Sequence, residues 1–138
     1  LFLDTGEPKM ATNIAVTNVA GMLSAITTTI AYSNSSAVEI GTLPANCQIV
    51  DINIDVTTAF NAATTNTVTV GKTGSANAFV ATTSVGSAGR ASVATTGTYS
   101  AWADTGSSEV TATVTYSQTG TAATAGAARV TIVYKSFA

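Results

Sequence analysis

The chain is dominated by short stretches in which apolar and polar side chains alternate. The clearest is Cys47–Thr58, in which one set of alternate positions is apolar: Val50, Ile52, Ile54 and Val56. The positions between them carry Asp51, Asn53 and Asp55. Successive side chains of a strand point to opposite faces, so a period of two predicts a strand with one buried face.

Two further segments repeat this alternation strongly, at residues 109–116 and 128–136. In the first, apolar residues alternate with threonines; they are Val110, Ala112, Val114 and Tyr116. In the second, the apolar positions are Val130, Ile132 and Tyr134. Weaker patterns predict strands at residues 12–19, 22–32, 37–43, 66–72, 78–84, 90–95 and 98–103, and Gly-, Ser- and Asn-rich turns separate these segments.

Many short strands with frequent turns predict an all-β fold, because parallel crossovers need helices that are not visible in the sequence. Residues 59–65 predict either one helical turn or a loop. An antiparallel β-sandwich is therefore expected, first of the jelly-roll type and second of the immunoglobulin-like type, although Trp102 lacks the cysteine pair of antibody domains. Residues 21–138 are expected to form one domain, and residues 1–20 an N-terminal arm or extension.

Composition restricts the chemistry that this fold can carry. Ala, Thr, Ser and Gly make up 76 of the 138 residues, only 9% are charged, and histidine is absent. The absence of histidine removes Ser-His-Asp catalysis and most zinc sites, and the single cysteine, Cys47, cannot form an intrachain disulfide. The five basic residues are too scattered for nucleic-acid binding; they are Lys9, Lys72, Arg90, Arg129 and Lys135. We expect no enzyme activity, no cofactor, no metal and no membrane segment.

The sequence Asp-Thr-Gly occurs twice, beginning at Asp4 and Asp104. Pepsin-like proteases place two such loops across a cleft, where two carboxylates share a proton. Asp4 has only three residues before it, which cannot form a supporting strand. Turn chemistry is the favoured interpretation, and an aspartic protease is a remote alternative.

Three other patterns have an ordinary structural interpretation beside a functional one. Residues 70–73 (Val-Gly-Lys-Thr) are similar to the end of a phosphate-binding loop, but a hairpin turn is favoured, and the glycosylation pattern at Asn34 is short enough to occur by chance. The Asp51, Asn53 and Asp55 row predicts a solvated sheet face or a contact with Arg90, Arg129 or Lys135 across a subunit boundary, rather than a calcium site. Three aromatic residues are expected in the core or in a subunit contact rather than on a sugar-binding platform: Phe60, Tyr99 and Trp102.

A mean hydropathy of +0.36 with only twelve charged residues indicates that part of the surface is covered. Solubility normally comes from a charged, mixed surface. A homo-oligomer or attachment to a larger lattice is therefore expected.

Residues 43–61 and 65–71, with the two strands at 110–116 and 128–134, resemble small virion proteins of tailed bacteriophages. The resemblance covers residues 38–137 and is compositional and structural. It implies a β-sandwich subunit on the capsid surface, namely a decoration (cement) protein that trimerises over junctions of the major capsid protein. A fibre or tail-tip module that binds carbohydrate or a receptor through Trp102, Tyr99 and the acidic row is the alternative.

Overall fold

The computed structural model of the protein describes residues 23–91 and 105–137, and these residues form eight β-strands. The strands are β1 (Leu23–Ala31), β2 (Val38–Leu43), β3 (Cys47–Thr58), β4 (Thr65–Lys72), β5 (Ser75–Ser84), β6 (Gly89–Arg90), β7 (Val110–Thr119) and β8 (Ala127–Ser136). The described residues contain no helix. The all-β prediction is therefore confirmed.

The strands form two four-stranded antiparallel sheets. Sheet A has the order β1-β8-β3-β6, and sheet B has the order β2-β7-β4-β5. Strand β1 thus pairs with β8, β2 with β7, β3 with β6 and β4 with β5. Rolling up one long antiparallel hairpin generates this pairing, which favours the jelly-roll arrangement over the immunoglobulin-like one.

The core lies between the two sheets and is built from the alternate apolar positions of the long strands. Sheet A contributes fully buried residues that include Ile30, Ile52, Ile54, Val130 and Ile132, and sheet B contributes Val68, Val70, Val80, Ala112 and Val114. These side chains form one continuous cluster. Two apolar faces packed against each other explain why a chain with so few large side chains has a single core.

The inward orientation predicted for Val50 is wrong. The β3–β8 register shifts between Ile49 and Asp51, which marks a β-bulge at Val50. Val50 is 46% exposed, whereas Ile49 takes the buried position with 6% exposure. The extra residue changes the phase of the alternation, so that Ile52, Ile54 and Val56 are buried as predicted.

Other segments differ from the predictions mainly in their ends. Residues 59–64 form a loop and Thr65 begins β4, so the helical-turn option for 59–65 does not apply. Strand β5 begins three residues earlier than predicted, at Ser75, and β7 continues to Thr119. The predicted strands at 12–19 and 98–103, most of 90–95 and the predicted arm at 1–20 lie outside the described residues.

Candidate assembly surfaces

The outer face of sheet A carries most of the charge in the described part of the chain. Asp51 and Asp55 on β3 lie opposite Val133 and Arg129 on β8, and Arg90 on β6 lies opposite Asp55. Lys135 on β8 is on the same face and lies opposite Gln48 on β3 and Leu23 on β1. We call this surface the charged face; its two acidic and three basic groups alternate, as on a solvated surface.

The acidic row predicted from the sequence meets a basic residue of its own chain. Arg90 Nη2 lies 3.7 Å from Asp51 Oδ2, and both side chains are more than half exposed. Asn53 lies between the two aspartates, and its Oδ1 is buried without a hydrogen-bond partner. No cluster of three or more Cys, Asp or Glu side chains that could hold a metal ion occurs among residues 23–91 and 105–137.

The outer face of sheet B has a different chemistry. Its two central strands present hydroxyl side chains in register, with Thr65 opposite Thr119, Thr67 opposite Ser117 and Thr69 opposite Thr115. The hydroxyls of Thr65 and Thr119 lie 2.7 Å apart, while Thr115 Oγ1 is buried without a partner. We call this surface the hydroxyl face. It carries no charge on β4 or β7 from Thr65 to Gly71 and from Thr111 to Thr119.

One end of the sandwich is held by side chains that bond to loop backbone. The Asn66 side chain accepts a hydrogen bond from Ala62 N at 2.8 Å and donates to Ala62 O at 3.0 Å. The hydroxyl of Tyr116 lies 2.8 Å from Asn66 Oδ1, and Gln118 Oε1 accepts from Ala123 N at 2.8 Å. Burial raises the pKa of Tyr116 above its ordinary value of 10.0. These hydrogen bonds connect loops 59–64 and 120–126 to side chains of β4 and β7.

Asn61 joins the same two loops directly. Its Oδ1 accepts hydrogen bonds from Thr124 N at 2.8 Å and Ala125 N at 3.0 Å, and its Nδ2 donates to Thr124 Oγ1. Sequence reasoning missed Asn61, Asn66 and Gln118. These residues could have been found from their positions near the ends of predicted strands. Polar side chains there often bond to backbone groups that have no partner in a neighbouring strand.

The second Asp-Thr-Gly sequence lies at the opposite end, where Thr105 bonds to the β2–β3 loop. Its Oγ1 donates to Pro44 O at 2.7 Å and accepts from Cys47 N at 3.1 Å, while its backbone N–H donates to Cys47 O at 2.8 Å. Gly106 lies in a turn with φ of +73°. Thr105 thus has a structural role, whereas Asp104 and Asp4 lie outside the described residues.

Residues 70–73 lie in the β4–β5 hairpin, which turns at residues 73–74. A Cβ on Gly71 would be 2.6 Å from the carbonyl oxygen of Ala76, so the close approach of the two strands requires glycine there. A shallow depression of about 460 Å³ beside this turn is lined by Ala37, Lys72, Thr73, Gly74, Ser75, Ala76 and Thr113. Lys72 is the only ionisable group in that lining, so the depression holds no acid–base pair.

The remaining predicted site residues are not brought together. Phe60 is buried in the core at 2% exposure and contacts Tyr116, with ring centroids 4.6 Å apart. Tyr99 and Trp102 lie outside the described residues. Cys47 is buried, and Asn34 caps the end of β1 through its side chain. Arg129 and Lys135 lie on the charged face with Arg90, as described above.

Large apolar side chains are exposed at four described positions: Leu23, Tyr32, Val50 and Phe137. Leu23 lies opposite Lys135 in the sheet, and the Lys135 ammonium lies 5.5 Å from the centre of the Phe137 ring.

The described part of the chain contains no helix that could cross a membrane.

Comparison with known proteins relates the chain to others by its fold. No protein-family model and no curated protein matches it. Solved structures do match: a chain of the cyanophage Pam1 capsid asymmetric unit is 16% identical over 85% of this chain and 86% of that chain, with a TM-score of 0.61. A chain of the acid-stable capsid of Helicobacter pylori bacteriophage KHP30 is 12% identical, covers 86% of this chain and 91% of that one, and has a TM-score of 0.61. A chain of the Ralstonia phage GP4 capsid is 20% identical over 85% and 86%, with a TM-score of 0.57. This chain therefore shares its β-sandwich fold with chains found in bacteriophage capsids.

Proposed function

We propose that the protein is a structural subunit of a bacteriophage virion, and specifically a decoration (cement) protein on the capsid surface. The observation that carries this proposal is the shared sandwich, which extends over about 85% of this chain in each of the three phage capsid structures. The strand pairing described above supports a jelly roll, an architecture that viral capsid domains use widely. A decoration protein would stabilise the head by binding several capsid-protein subunits at once.

The two outer faces of the sandwich support a division of roles. The charged face is suited to water, because acidic groups on β3 lie between basic groups on β8 and β6, and the side chains of Arg90 and Asp51 are more than half exposed. The hydroxyl face carries small uncharged side chains on β4 and β7, and its charged residue is Glu39 on the edge strand β2, opposite Thr113. Small side chains allow close contact, and hydroxyl groups cost less to remove from water than ionic groups. We assign the hydroxyl face to contact with the major capsid protein, and the charged face to the exterior.

A homotrimer is the proposed form of the subunit on the head. The low charge of the chain supports coverage by sister subunits as well as by the capsid, because 12 charged residues in 138 leave much of the surface without ionic groups. The proposed role is one of binding, without catalysis.

Binding to shells made from the major capsid protein of the same phage tests this proposal. The wild-type chain should bind these shells at a fixed ratio, raise their thermal stability, and occupy positions over capsid-protein junctions in a cryo-EM reconstruction. Thr69→Lys with Thr115→Lys places two lysines on the hydroxyl face and should abolish binding.

The matched control places two lysines in the corresponding position on the charged face, as Asn53→Lys with Thr131→Lys. These two residues also lie opposite each other on central strands. This control should bind shells like the wild type. Location of the chain on a tail or fibre would contradict the proposed role. Equal loss of shell binding in both double variants would contradict the assignment of the hydroxyl face to capsid contact.

A further inference from the structure

Among the described strands, β1 is at one edge of sheet A, and its outer side carries backbone groups that no other described strand pairs with. Tyr32 N donates to Gly126 O at 3.0 Å, which makes residues 32 and 126 a hydrogen-bonded pair that continues the β1–β8 register. Hydrogen-bonded and non-hydrogen-bonded pairs alternate in an antiparallel ladder. The even-numbered residues of β1 therefore bond to β8, and the odd-numbered residues direct their N–H and C=O groups away from the sheet.

Asn34 closes one end of this edge. Ala31 N donates to Asn34 Oδ1 at 2.7 Å, and Asn34 N donates to Ala31 O at 3.0 Å. Within the described part of the chain, the outward backbone groups of four residues have no such partner: Leu23, Ala25, Thr27 and Thr29. The open edge is therefore limited to residues 23–29.

The other sheet edges are protected in ways that β1 is not. Strand β6 has only two residues, β2 contains a register shift between Glu39 and Gly41, and the β4–β5 pairing is irregular at two points. Short strands, charges and bulges are the usual means of blocking strand addition. Strand β1 has nine residues, a regular register with β8, no charge and no proline.

We propose that this edge binds the same edge of a second copy of the chain, in antiparallel orientation around a two-fold axis at Ile26. Residue 26 is the midpoint of the open segment, so this register pairs Leu23 with Thr29 and Ala25 with Thr27 of the copy. Each of the four resulting residue pairs can exchange two backbone hydrogen bonds. The Asn34 cap remains in place in both chains, because Ala31 takes no part.

The side chains along this edge favour a second copy over a charged partner strand. Strand β1 has no ionic side chain, so two identical edges approach without like-charge repulsion. Ile26 is half buried against the core and would meet the Ile26 of the copy on the axis, which extends the apolar layer from one subunit to the next. A two-fold contact uses both edges and therefore closes after two chains.

This inference does not depend on the proposed virion role. If the subunit is also a trimer, the two-fold contact joins two trimers through all three edges when its axis is perpendicular to the trimer axis, and without a trimer it gives a dimer. The number of chains in the solution assembly is even in either case.

Solution mass by analytical ultracentrifugation tests the contact on the full chain. Ala25→Lys with Thr27→Lys brings lysines opposite lysines across the axis and should halve the wild-type mass. Ala25→Glu with Thr27→Glu should do the same, and an equimolar mixture of the two variants should restore the wild-type mass. Asn53→Lys with Thr131→Lys, two positions opposite each other on central strands of the same sheet, is the matched control and should leave the mass unchanged.

Backbone hydrogen exchange supplies an independent measurement if a lysine pair impairs folding. The amides of Ala25, Thr27 and Thr29 should be protected in the wild type, and those of Thr27 and Thr29 should exchange rapidly in Ala25→Pro, in which residue 25 has no N–H group. A wild-type assembly with an odd number of chains, an unchanged mass in the lysine variant, or rapid exchange of these three amides in the wild type would overturn the proposal. If the Ala25→Lys and Thr27→Lys variant loses shell binding but keeps the wild-type mass, the edge binds a strand of another protein. That result would also overturn the proposal.

Discussion

The Tyr116 hydroxyl lies 2.8 Å from Asn66 Oδ1, and the Tyr116 ring is tilted by 39° against the ring of Phe60. One side chain thus connects the core with the polar network at the end of the sandwich. Tyr116→Phe keeps the ring contact and removes the hydrogen bond, which should lower the free energy of unfolding by about 1 kcal/mol. Tyr134→Phe is the control; its effect in chemical denaturation should stay below about 0.5 kcal/mol. Equal effects of the two substitutions would contradict the role of the Tyr116 hydroxyl.

The raised pKa of Tyr116 predicts a pH dependence of stability at alkaline pH. In the unfolded chain, tyrosine ionises near its ordinary pKa of 10.0, whereas burial delays ionisation in the folded protein. The unfolded state therefore loses its proton first, and the contribution of Tyr116 to stability, complete below pH 10, decreases as the pH rises from 10 through the raised pKa. The difference in unfolding free energy between wild type and Tyr116→Phe should shrink over this range. A difference that is constant with pH would contradict the assigned burial.

Gly126 should be the most sensitive glycine in the loops beside this network. Its φ is +148°, and an added Cβ would lie 2.9 Å from Phe60 Cα and overlap the Phe60 ring. Gly126→Ala should therefore lower stability by about 3 kcal/mol through overpacking and backbone strain. Gly74→Ala is the matched control, because Gly74 has a φ of +85° with no atom within 4 Å of the added Cβ, and it should cost about 1 kcal/mol. Similar melting temperatures for the two variants would contradict a packing role for Gly126.

Thr105 should stabilise the end of the sandwich that contains Cys47. Thr105→Ala removes the donor to Pro44 O and the acceptor for Cys47 N, and should cost about 1–2 kcal/mol. The rate at which a thiol reagent labels the buried Cys47 should rise in the same variant. Thr105→Ser retains the hydroxyl and should label at the wild-type rate; rapid labelling of the serine variant would attribute the effect to the lost methyl group instead.

The ion pair on the charged face should contribute little to stability. Arg90 and Asp51 are 60% and 53% exposed, and water screens such pairs. Asp51→Asn should change the free energy of unfolding by less than about 0.5 kcal/mol, whereas the neighbouring Ile52→Ala should cost about 3 kcal/mol because Ile52 is fully buried. Asp51 Oδ1 also accepts a hydrogen bond from Ile52 N at 2.8 Å, and the amide oxygen of asparagine can keep that bond. A large effect of Asp51→Asn in thermal denaturation would therefore contradict the small contribution expected of the ion pair.

The alternation in β3, β7 and β8 was sufficient to predict these strands and most of their buried positions. It failed at Val50 because a bulge shifts the phase by one residue, and bulges depend on pairing with a neighbouring strand. The polar network could not be predicted, since the hydroxyl of Tyr116 is 50 residues from Asn66 and the Asn61 side chain is 63 residues from Thr124. The acidic row lies on an outer sheet face, which is one of the two expectations for it. Its contact with Arg90 is within one chain and not across a subunit boundary, and it depends on the position of β6 beside β3.

The sequence alone determined the class of the fold, because a period of two, frequent turns and a shortage of charge are local properties of the chain. Only the tertiary structure decided which strands share a sheet, and with them the separation of a charged face from a hydroxyl face. It also decided that β1 is an edge strand among residues 23–91 and 105–137, because the cap at Ala31 and the direction of each backbone group follow from the pairing of β1 with β8. Pairing between strands distant in sequence is a long-range property, so alternation within a single strand cannot specify it.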